Sequence, residues 1–511
     1  MTRRPLPPSF CPLPRSPTLS LAVALALAGG AAAQTSKIVW TQHEDYAVYT
    51  SSGLSRHKGT TPTFSTATWL NSPIMVEVFN VSDSGENMWS YASTSTGLPT
   101  FQVAMARHAD SFGVRYDACA LAVQQRGRDT APCFHAPTVS SLANPHSPLP
   151  PSLVPPPQRL VAAPALKPPS TPPQVGNIDT IAAEAQFVPP STCQVFAWSS
   201  LGGSATPAWS VNVSNCDANL LYDDDRNVDI SDDGATAAFS GFLIQGKDYI
   251  PQLWVFSAQT GKLRYTKNLG ATGAGGPVQL SENGTWVAWT TGDSVMVLDG
   301  MTGKVRDTVQ MGWNCMAVLS DSGDFLAFAG DDVGKIYKWD ETNQQYTLAY
   351  SPVPSGATQY YATSAAISSD GSGAAEAELV TFGYITQTAL GARVIIYSMV
   401  TGAVMTDYTS PVNAQLQTYP TVRMSGNYAG ICLWGDNDDV PTAIVLSAKS
   451  AKPIFTFVTP GSMFGVDIVH DVGASTPTND VVYFATAGKH VPANEMGNGG
   501  DAYAWRIDVP V

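Results

Sequence analysis

Charge is scarce in this sequence, and positive charge is the scarcer sign. Only 13% of the 511 residues are charged, and 41 acidic residues against 27 Lys and Arg give a formal net charge of −14. A surface of this sign repels phosphate groups, so nucleic acid and anionic lipid are not expected as partners. Low charge combined with many Gly, Ser, Thr and aromatic residues is typical of strands and turns rather than helices.

Several motifs of known catalytic and metal sites are also missing. The sequence has no CxxC pair and no Cys/His cluster with zinc spacing, which argues against structural zinc. It has no G-x-S-x-G, and the glycine-rich segment 270–276 lacks the Lys and the following helix of a P-loop. Two of the seven histidines, His470 and His490, could act as general bases, with a plain turn or loop role as the alternative.

Long apolar runs are missing except near the N-terminus. Arg3, Arg4 and Arg15 precede the apolar run 19–28, and an A-x-A site ends at Ala33, so residues 1–33 are predicted to be a secretory signal peptide. The run is half the length that spans a bilayer, although a signal anchor remains an alternative. We expect a secreted, extracellular and monomeric protein over residues 34–511, without a membrane span, whose net charge moves to −17 because three Arg leave with the signal.

Six cysteines remain after removal of the signal, and an even count in an oxidising compartment indicates disulfides. Cys193 and Cys216 bracket a predicted hairpin and are the best single pair. Three sequons predict N-glycosylation in a eukaryotic host, at Asn80, Asn212 and Asn283.

A short sequence motif recurs eight times: a strand of β-branched or aromatic residues, a Ser or Asp, a few variable residues, then usually Gly. The copies lie at 76–85, 193–202, 253–261, 295–303, 336–344, 394–402, 443–451 and 504–508. Most are preceded by two strands joined by a Ser/Asp/Gly turn, with Gly234, Gly284, Gly323 and Gly371 where a tight hairpin needs positive φ. Together these elements predict four strands every 40 to 60 residues, which stack radially into a β-propeller.

The pattern resembles the WD-repeat and quinoprotein-like (PQQ-repeat) β-propeller families over about residues 60 to 508. The resemblance is carried by S-x-D-G turns and by the turns 260–262 and 302–304, both Thr-Gly-Lys. It implies an all-β chain that forms a single propeller of seven or eight four-stranded antiparallel blades, with eight favoured. A strand near 37–41 is expected to complete the last blade, which removes an exposed edge.

The same resemblance implies a blade-docking Trp a few residues after each Thr-Gly-Lys turn, and an adjacent Cys-Cys pair against a bound quinone. The sequence has Leu263, Arg264 and Tyr265 after the first turn and no adjacent cysteines. PQQ is therefore not expected as a cofactor.

A proline-rich stretch over residues 125–175 interrupts the repeats inside one blade. It is predicted to be an extended or disordered insert, because such a sequence cannot pair as strand. The functional interpretation is a mucin-like loop or a loop that presents a proline-rich ligand, and the alternatives are a plain spacer and translated non-coding sequence.

Acidic loops are predicted to crowd one face of the propeller, called the top face, where the second-to-third-strand and blade-to-blade connections emerge. Their carboxylates suit Ca²⁺, which takes six to eight oxygen ligands, and solvated acids are the alternative. The predicted ligands are Asp331, Asp332, Asp436, Asp438 and Asp439, with 223–225 and the aromatic residues Trp313, Tyr360 and Tyr361 on nearby loops.

Two functions follow as hypotheses. The first is a secreted, non-catalytic propeller that binds a protein or a glycan through its acidic top-face loops. The alternative is an extracellular enzyme that uses the central pocket, either as a quinone-dependent oxidoreductase or as a hydrolase.

Overall fold

A computed structural model describes most of the chain beyond residue 34. The chain divides into two compact units, Met1–Ala33 and Gln34–Val511, and the described residues all lie in the second. They are 35–44, 48–55, 63–69, 74–81, 87–92, 102–105, 112–115, 180–186, 192–198, 206–217, 227–231, 233–270, 275–281, 283–311, 316–320, 322–330, 334–354, 360–368, 378–386, 391–411, 419–434, 440–490 and 500–511.

These residues form strands joined by turns, with no α-helix among them, so none of their elements could cross a membrane as a helix. The strands of the first three sheets, with the strand that closes the last sheet, are β1 (Thr35–Glu44), β2 (Val48–Ser55), β3 (Thr63–Trp69), β4 (Ile74–Asn80), β5 (Asn87–Ala92), β6 (Gln102–Met105), β7 (Phe112–Arg115), β8 (Thr180–Gln186), β9 (Thr192–Trp198), β10 (Trp209–Ser214), β11 (Cys216–Asp217), β12 (Val228–Ile230), β13 (Thr236–Gln245), β14 (Asp248–Ser257) and β15 (Leu263–Asn268).

The remaining strands are β16 (Val278–Leu280), β17 (Trp286–Thr290), β18 (Ser294–Asp299), β19 (Val305–Gln310), β20 (Met316–Leu319), β21 (Phe325–Ala329), β22 (Lys335–Asp340), β23 (Gln345–Tyr350), β24 (Tyr360–Ile367), β25 (Leu379–Thr386), β26 (Ala392–Ser398), β27 (Val404–Thr409), β28 (Tyr419–Ser425), β29 (Tyr428–Trp434), β30 (Ala443–Ser447), β31 (Phe455–Phe457), β32 (Met463–His470), β33 (Asn479–Lys489) and β34 (Gly500–Pro510).

The described strands make eight antiparallel sheets, six of four strands and two that carry an extra strand. We call them blades 1 to 8: β2–β5, β6–β10, β11–β15, β16–β19, β20–β23, β24–β27, β28–β31, and β32–β34 with β1. Each blade contacts the next through its innermost strand, and β2 of blade 1 contacts β32 and β33 of blade 8. The all-β propeller prediction is confirmed, and the eight sheets fit the eight-bladed version of it.

The repeated motif occupies the strand next to the outer strand in every blade, which is the third strand except in blade 2, where it is the fourth of five. The hairpins that precede it turn at Gly234, Gly284 and Gly323, whose φ angles are 65°, 63° and 70°. These angles lie in the left-handed region that favours glycine. Gly371, the fourth predicted hairpin glycine, lies outside the described residues.

Blade 8 closes with a strand from the other end of the chain. Strand β1 pairs antiparallel with β34, with Lys37 opposite Arg506 and Thr41 opposite Tyr503. This confirms the predicted role of residues 37–41 as the fourth strand. The outer edge of β34 is thereby paired within the protein rather than left open.

The core consists of side chains between neighbouring blades. The second and third strands of a blade, such as β29 and β26, are buried along almost their whole length, because both faces of each sheet meet another sheet. Outer strands alternate: β15, with the sequence LRYTKN, has every second or third side chain exposed. Continuous apolar runs therefore mark the second and third strands of a blade, and runs of mixed polarity mark the fourth strands.

The predicted insert, residues 125–175, lies outside the described residues. Strands β6, β7 and β8 belong to one sheet, so the segment between Arg115 and Thr180 connects two strands of blade 2.

Candidate functional site

The strand order defines the top face in the structure. Because the strands of each blade are antiparallel, the first strand starts and the second strand ends at the top face, and the first-to-second and third-to-fourth turns lie at the bottom face. The predicted metal ligands Asp331, Asp332, Asp436, Asp438 and Asp439 lie outside the described residues, as do 223–225 and Trp313, so that site stays a prediction. Among the described residues, no group of three or more His, Cys, Asp or Glu could hold a metal ion.

Tyr360 and Tyr361 differ from the prediction, which placed them in a top-face loop. They are the first two residues of β24, opposite Thr386 and Ile385. Aromatic and β-branched residues favour strands, and the pairing with β25 extends to Tyr360, so the strand begins earlier than the loop pattern indicated.

An aromatic cluster lies at the top face of blades 7 and 8, and we call it the aromatic corner. It consists of Tyr419, Trp434 and Phe464. Tyr419 begins β28 and stands opposite Trp434, the last residue of β29. Their ring centroids are 5.0 Å apart at 46°, and Phe464 of blade 8 lies 6.4 Å from Trp434.

The rings of the aromatic corner are buried to different extents. Phe464 is buried, whereas Tyr419 and Trp434 are only partly buried. Burial raises the pKa of the Tyr419 phenol, which therefore stays neutral at physiological pH. An uncharged aromatic surface of this kind, with one fixed ring behind two accessible ones, is suited to contact a ligand. No sequence signal marks the aromatic corner, because Tyr419 and Trp434 are fifteen residues apart and meet only through strand pairing.

A second top-face feature is an extended hairpin on blade 3. Strands β13 and β14 run to Gln245 and Asp248 and turn through Gly246 at φ 67°. The short strand β11 pairs with the upper part of β13, and the Ile244 N–H donates to the Asn215 carbonyl at 2.6 Å. Asn215 adopts φ 54°, which Asn tolerates better than most residues.

The disulfide predicted between Cys193 and Cys216 is present, with a Cα–Cα distance of 5.3 Å. It joins β9 of blade 2 to β11, so it fixes the base of the extended hairpin to the neighbouring blade. Cys432 is buried, and the other three cysteines beyond residue 33 lie outside the described residues.

His490 is held by a buried carboxylate at the top face of blade 8. Its Nδ1 lies 2.8 Å from Asp501 Oδ2, and the Tyr503 hydroxyl donates to the same oxygen at 2.9 Å. Asp501 and Tyr503 are buried, whereas 43% of the His490 side chain is exposed. Burial and Asp501 raise the pKa of the Tyr503 phenol, which therefore acts as a donor. The arrangement fixes the imidazole in one orientation.

His470, the other histidine that the sequence singled out, lies beside a serine and an aspartate at the bottom face, but the geometry is not that of a catalytic triad. In a triad, Ser and Asp contact opposite ring nitrogens. Here Ser475 Oγ (3.5 Å) and Asp480 Oδ1 (3.4 Å) both approach Nε2. The Ser475 hydroxyl also donates to the Asp471 carbonyl at 2.7 Å. His470 is therefore a structural residue of the turn, and it packs on Tyr428 of blade 7.

Polar side chains on the innermost strands link neighbouring blades. Asp467 Oδ2 of blade 8 accepts the Leu54 N–H of blade 1 at 2.7 Å, and Asp229 Oδ2 of blade 3 accepts the Leu280 N–H of blade 4 at 2.8 Å. Gln279 of blade 4 does the same for blade 5. Leu54 and Leu280 lie on edges that no strand pairs, so these side chains satisfy backbone groups that would otherwise lack a partner. Both aspartates are thereby assigned a structural role.

Aromatic residues of one blade pack on glycines in the third-to-fourth turns of the next blade, and Tyr265 does so at a position where the resemblance implied Trp. The Tyr265 ring lies against Gly303 of the next blade, Trp209 against Gly261 and Tyr350 against Gly402. A Cβ added to any of these glycines would lie within 2.6 Å of the ring. Tyr265 thus occupies a docking position although it is not a Trp, which a search for Trp alone overlooks.

The three predicted glycosylation sites fall on strands and turns. Asn80 is the last residue of β4. Asn212 is exposed on β10, the outer strand of blade 2, and Asn283 is exposed in the first hairpin turn of blade 4. The exposure of the latter two suits a glycan, and the modification itself stays a prediction.

No protein-family model and no curated protein matches the chain. Solved structures are similar to it in fold. A europium-containing methanol dehydrogenase is 9% identical and aligns over 92% of this chain and 93% of its own, with a TM-score of 0.46.

The β-propeller domain of Myceliophteria thermophila Cps50 (Swd1) is 13% identical, over 64% of this chain and 92% of its own, with a TM-score of 0.38. BamB from Moraxella catarrhalis is 14% identical, over 61% and 91%, with a TM-score of 0.31. At such identities the similarity concerns the fold alone.

Proposed function

We propose that this protein is a secreted, non-catalytic β-propeller that binds an extracellular glycan or protein at its top face. The observation that supports this function is the aromatic corner, where Tyr419 and Trp434 remain partly exposed over the buried Phe464. Partly buried Trp and Tyr are the residues that most often carry binding energy at recognition sites. The sequence that follows Trp434 is acidic, and carboxylates can accept hydrogen bonds from a polar ligand.

The test compares binding by variants of the secreted protein. A panel that contains neutral and acidic polysaccharides and extracellular proteins is probed with wild type, Trp434→Ala and Met405→Ala. Met405 is exposed at the bottom end of β27 and serves as the matched control. We expect at least one ligand whose binding is lost in Trp434→Ala and kept in Met405→Ala. Binding that is equally strong in both variants would contradict a top-face site.

N-terminal sequencing of protein from the medium tests removal of residues 1–33.

The alternative, an extracellular enzyme, would rely on the His490–Asp501 pair. A buried carboxylate that orients an exposed imidazole is the arrangement of a general base. Under this alternative, a His490→Gln variant would abolish turnover of a hydrolysable substrate with its fold intact. Under the binding function, the same variant leaves ligand affinity at the aromatic corner unchanged.

A further inference from the structure

We infer that the ligand of the aromatic corner is a neutral oligosaccharide. This inference rests on the proposed function and narrows it to one class of ligand. Three features of the structure and sequence support it: the shape of the corner, its small extent and the sign of the surrounding charge.

The shape of the corner matches a sugar ring. A pyranose presents C–H groups on one face and hydroxyls around its rim, so its face contacts an aromatic ring while the rim needs polar partners. The Tyr419 and Trp434 rings are in direct contact, at 46° with centroids 5.0 Å apart, so together they form one angled aromatic surface. Phe464 lies behind Trp434 at 6.4 Å and is 7% exposed, so it supports the Trp434 ring and leaves little surface of its own.

The aromatic corner consists of three rings, one of which is buried, so it is compact. A standard protein interface takes about 800 Å² from each partner, which two partly buried rings alone do not supply. Among the described residues, the exposed large apolar side chains lie mostly at the bottom face or on the middle of outer strands, and only Val353 and Val458 follow strands that end at the top face. Among the described residues, the aromatic corner therefore has few exposed apolar neighbours, as a site for a compact ligand does.

The charge of the chain selects against acidic sugars. The formal net charge is −14, and the sequence that follows Trp434 is Gly-Asp-Asn-Asp-Asp. Carboxylates accept hydrogen bonds from hydroxyls and repel carboxylate or sulfate groups. None of the three residues of the aromatic corner is basic. A neutral oligosaccharide contacts the aromatic surface without that electrostatic cost.

The experiment uses the intact secreted protein on an array of neutral, carboxylated and sulfated oligosaccharides, followed by titration calorimetry with the best ligand. We expect neutral oligosaccharides to bind and Trp434→Ala to weaken their binding about tenfold or more. Trp434→Phe, which keeps a ring in place, should retain most of the affinity, and Met405→Ala should match wild type. A thermal melt of each variant verifies that it is folded, and the Phe variant keeps the test valid if the Ala variant is unstable.

The other outcomes separate the two proposals. Preferential binding of acidic oligosaccharides, or equal affinity of Trp434→Ala and wild type for neutral ones, would overturn the inference. If no oligosaccharide binds but a protein ligand does, and that binding depends on Trp434, the inference fails while the proposed function stands. If no ligand of any class depends on Trp434, both fail.

Discussion

Removal of the Asp467 side chain should open the ring where its two ends meet. This carboxylate is buried and accepts two backbone N–H groups, from Leu54 of blade 1 at 2.7 Å and from Ile468 at 2.9 Å. An Asp467→Ala variant leaves both donors buried without that partner. Each buried, unsatisfied group costs about 1–3 kcal/mol, so the expected loss is about 2–6 kcal/mol.

Asp229→Ala is the matched control, because Asp229 occupies the equivalent position in blade 3. It accepts one N–H from the next blade, that of Leu280 at 2.8 Å, so the expected loss is about 1–3 kcal/mol. Both substitutions remove the same atoms from a buried inner strand. The difference between them therefore measures the second hydrogen bond and the position in the ring.

Hydrogen exchange read by peptide mass spectrometry is the appropriate assay. A chain of this size has an unfolding entropy of roughly 2.1 cal/mol/K per residue, so 1 kcal/mol moves the Tm by only about 1 °C. Local exchange, by contrast, speeds up about tenfold for each 1.4 kcal/mol lost.

Asp467→Ala should speed up exchange in β2 and β32, and Asp229→Ala in β12 and β16. If Asp467→Ala changes exchange uniformly over all blades, or less than Asp229→Ala does, the assignment of these carboxylates as blade links is wrong.

Three further results are expected from the structure. Cys193→Ser, which removes a crosslink over 23 residues, should cost about 3 kcal/mol in urea unfolding, and reduction of the wild type should reproduce it. Gly303→Ala should cost about 2 kcal/mol or more, because the φ of Gly303 is 69° and a Cβ there would lie 2.6 Å from the Tyr265 ring. Gly246→Ala is the control and should cost only about 1 kcal/mol, because Gly246 has a similar φ of 67° but open space around it. Equal losses of stability in the two variants would refute the docking contact. Burial and a hydrogen bond to a carboxylate raise the pKa of the Tyr428 phenol. The protonated phenol therefore stabilises the folded state below the unfolded pKa, and this contribution is lost as pH rises above about 10. Above that pH, the urea midpoint of Tyr428→Phe should fall less steeply than that of wild type.

The sequence by itself determined the architecture, because a propeller is built from local patterns. Each of these patterns lies within a few tens of residues: the repeated third-strand motif, the hairpin turn at Gly284 and the missing fourth strand of the last blade. The Cys193–Cys216 pair was accessible for the same reason, since both residues bracket one hairpin. Even the closing strand at 37–41 followed from counting strands.

Only the tertiary structure decided which side chains meet. Tyr419, Trp434 and Phe464 come from three strands and two blades, and no sequence spacing marks them as neighbours. The same holds for Asp501, which orients His490, and for Asp467, which binds the backbone of Leu54 across the ring closure. Strand patterns fix how each blade folds, whereas contacts between blades depend on the register and rotation of whole sheets, which local sequence does not encode.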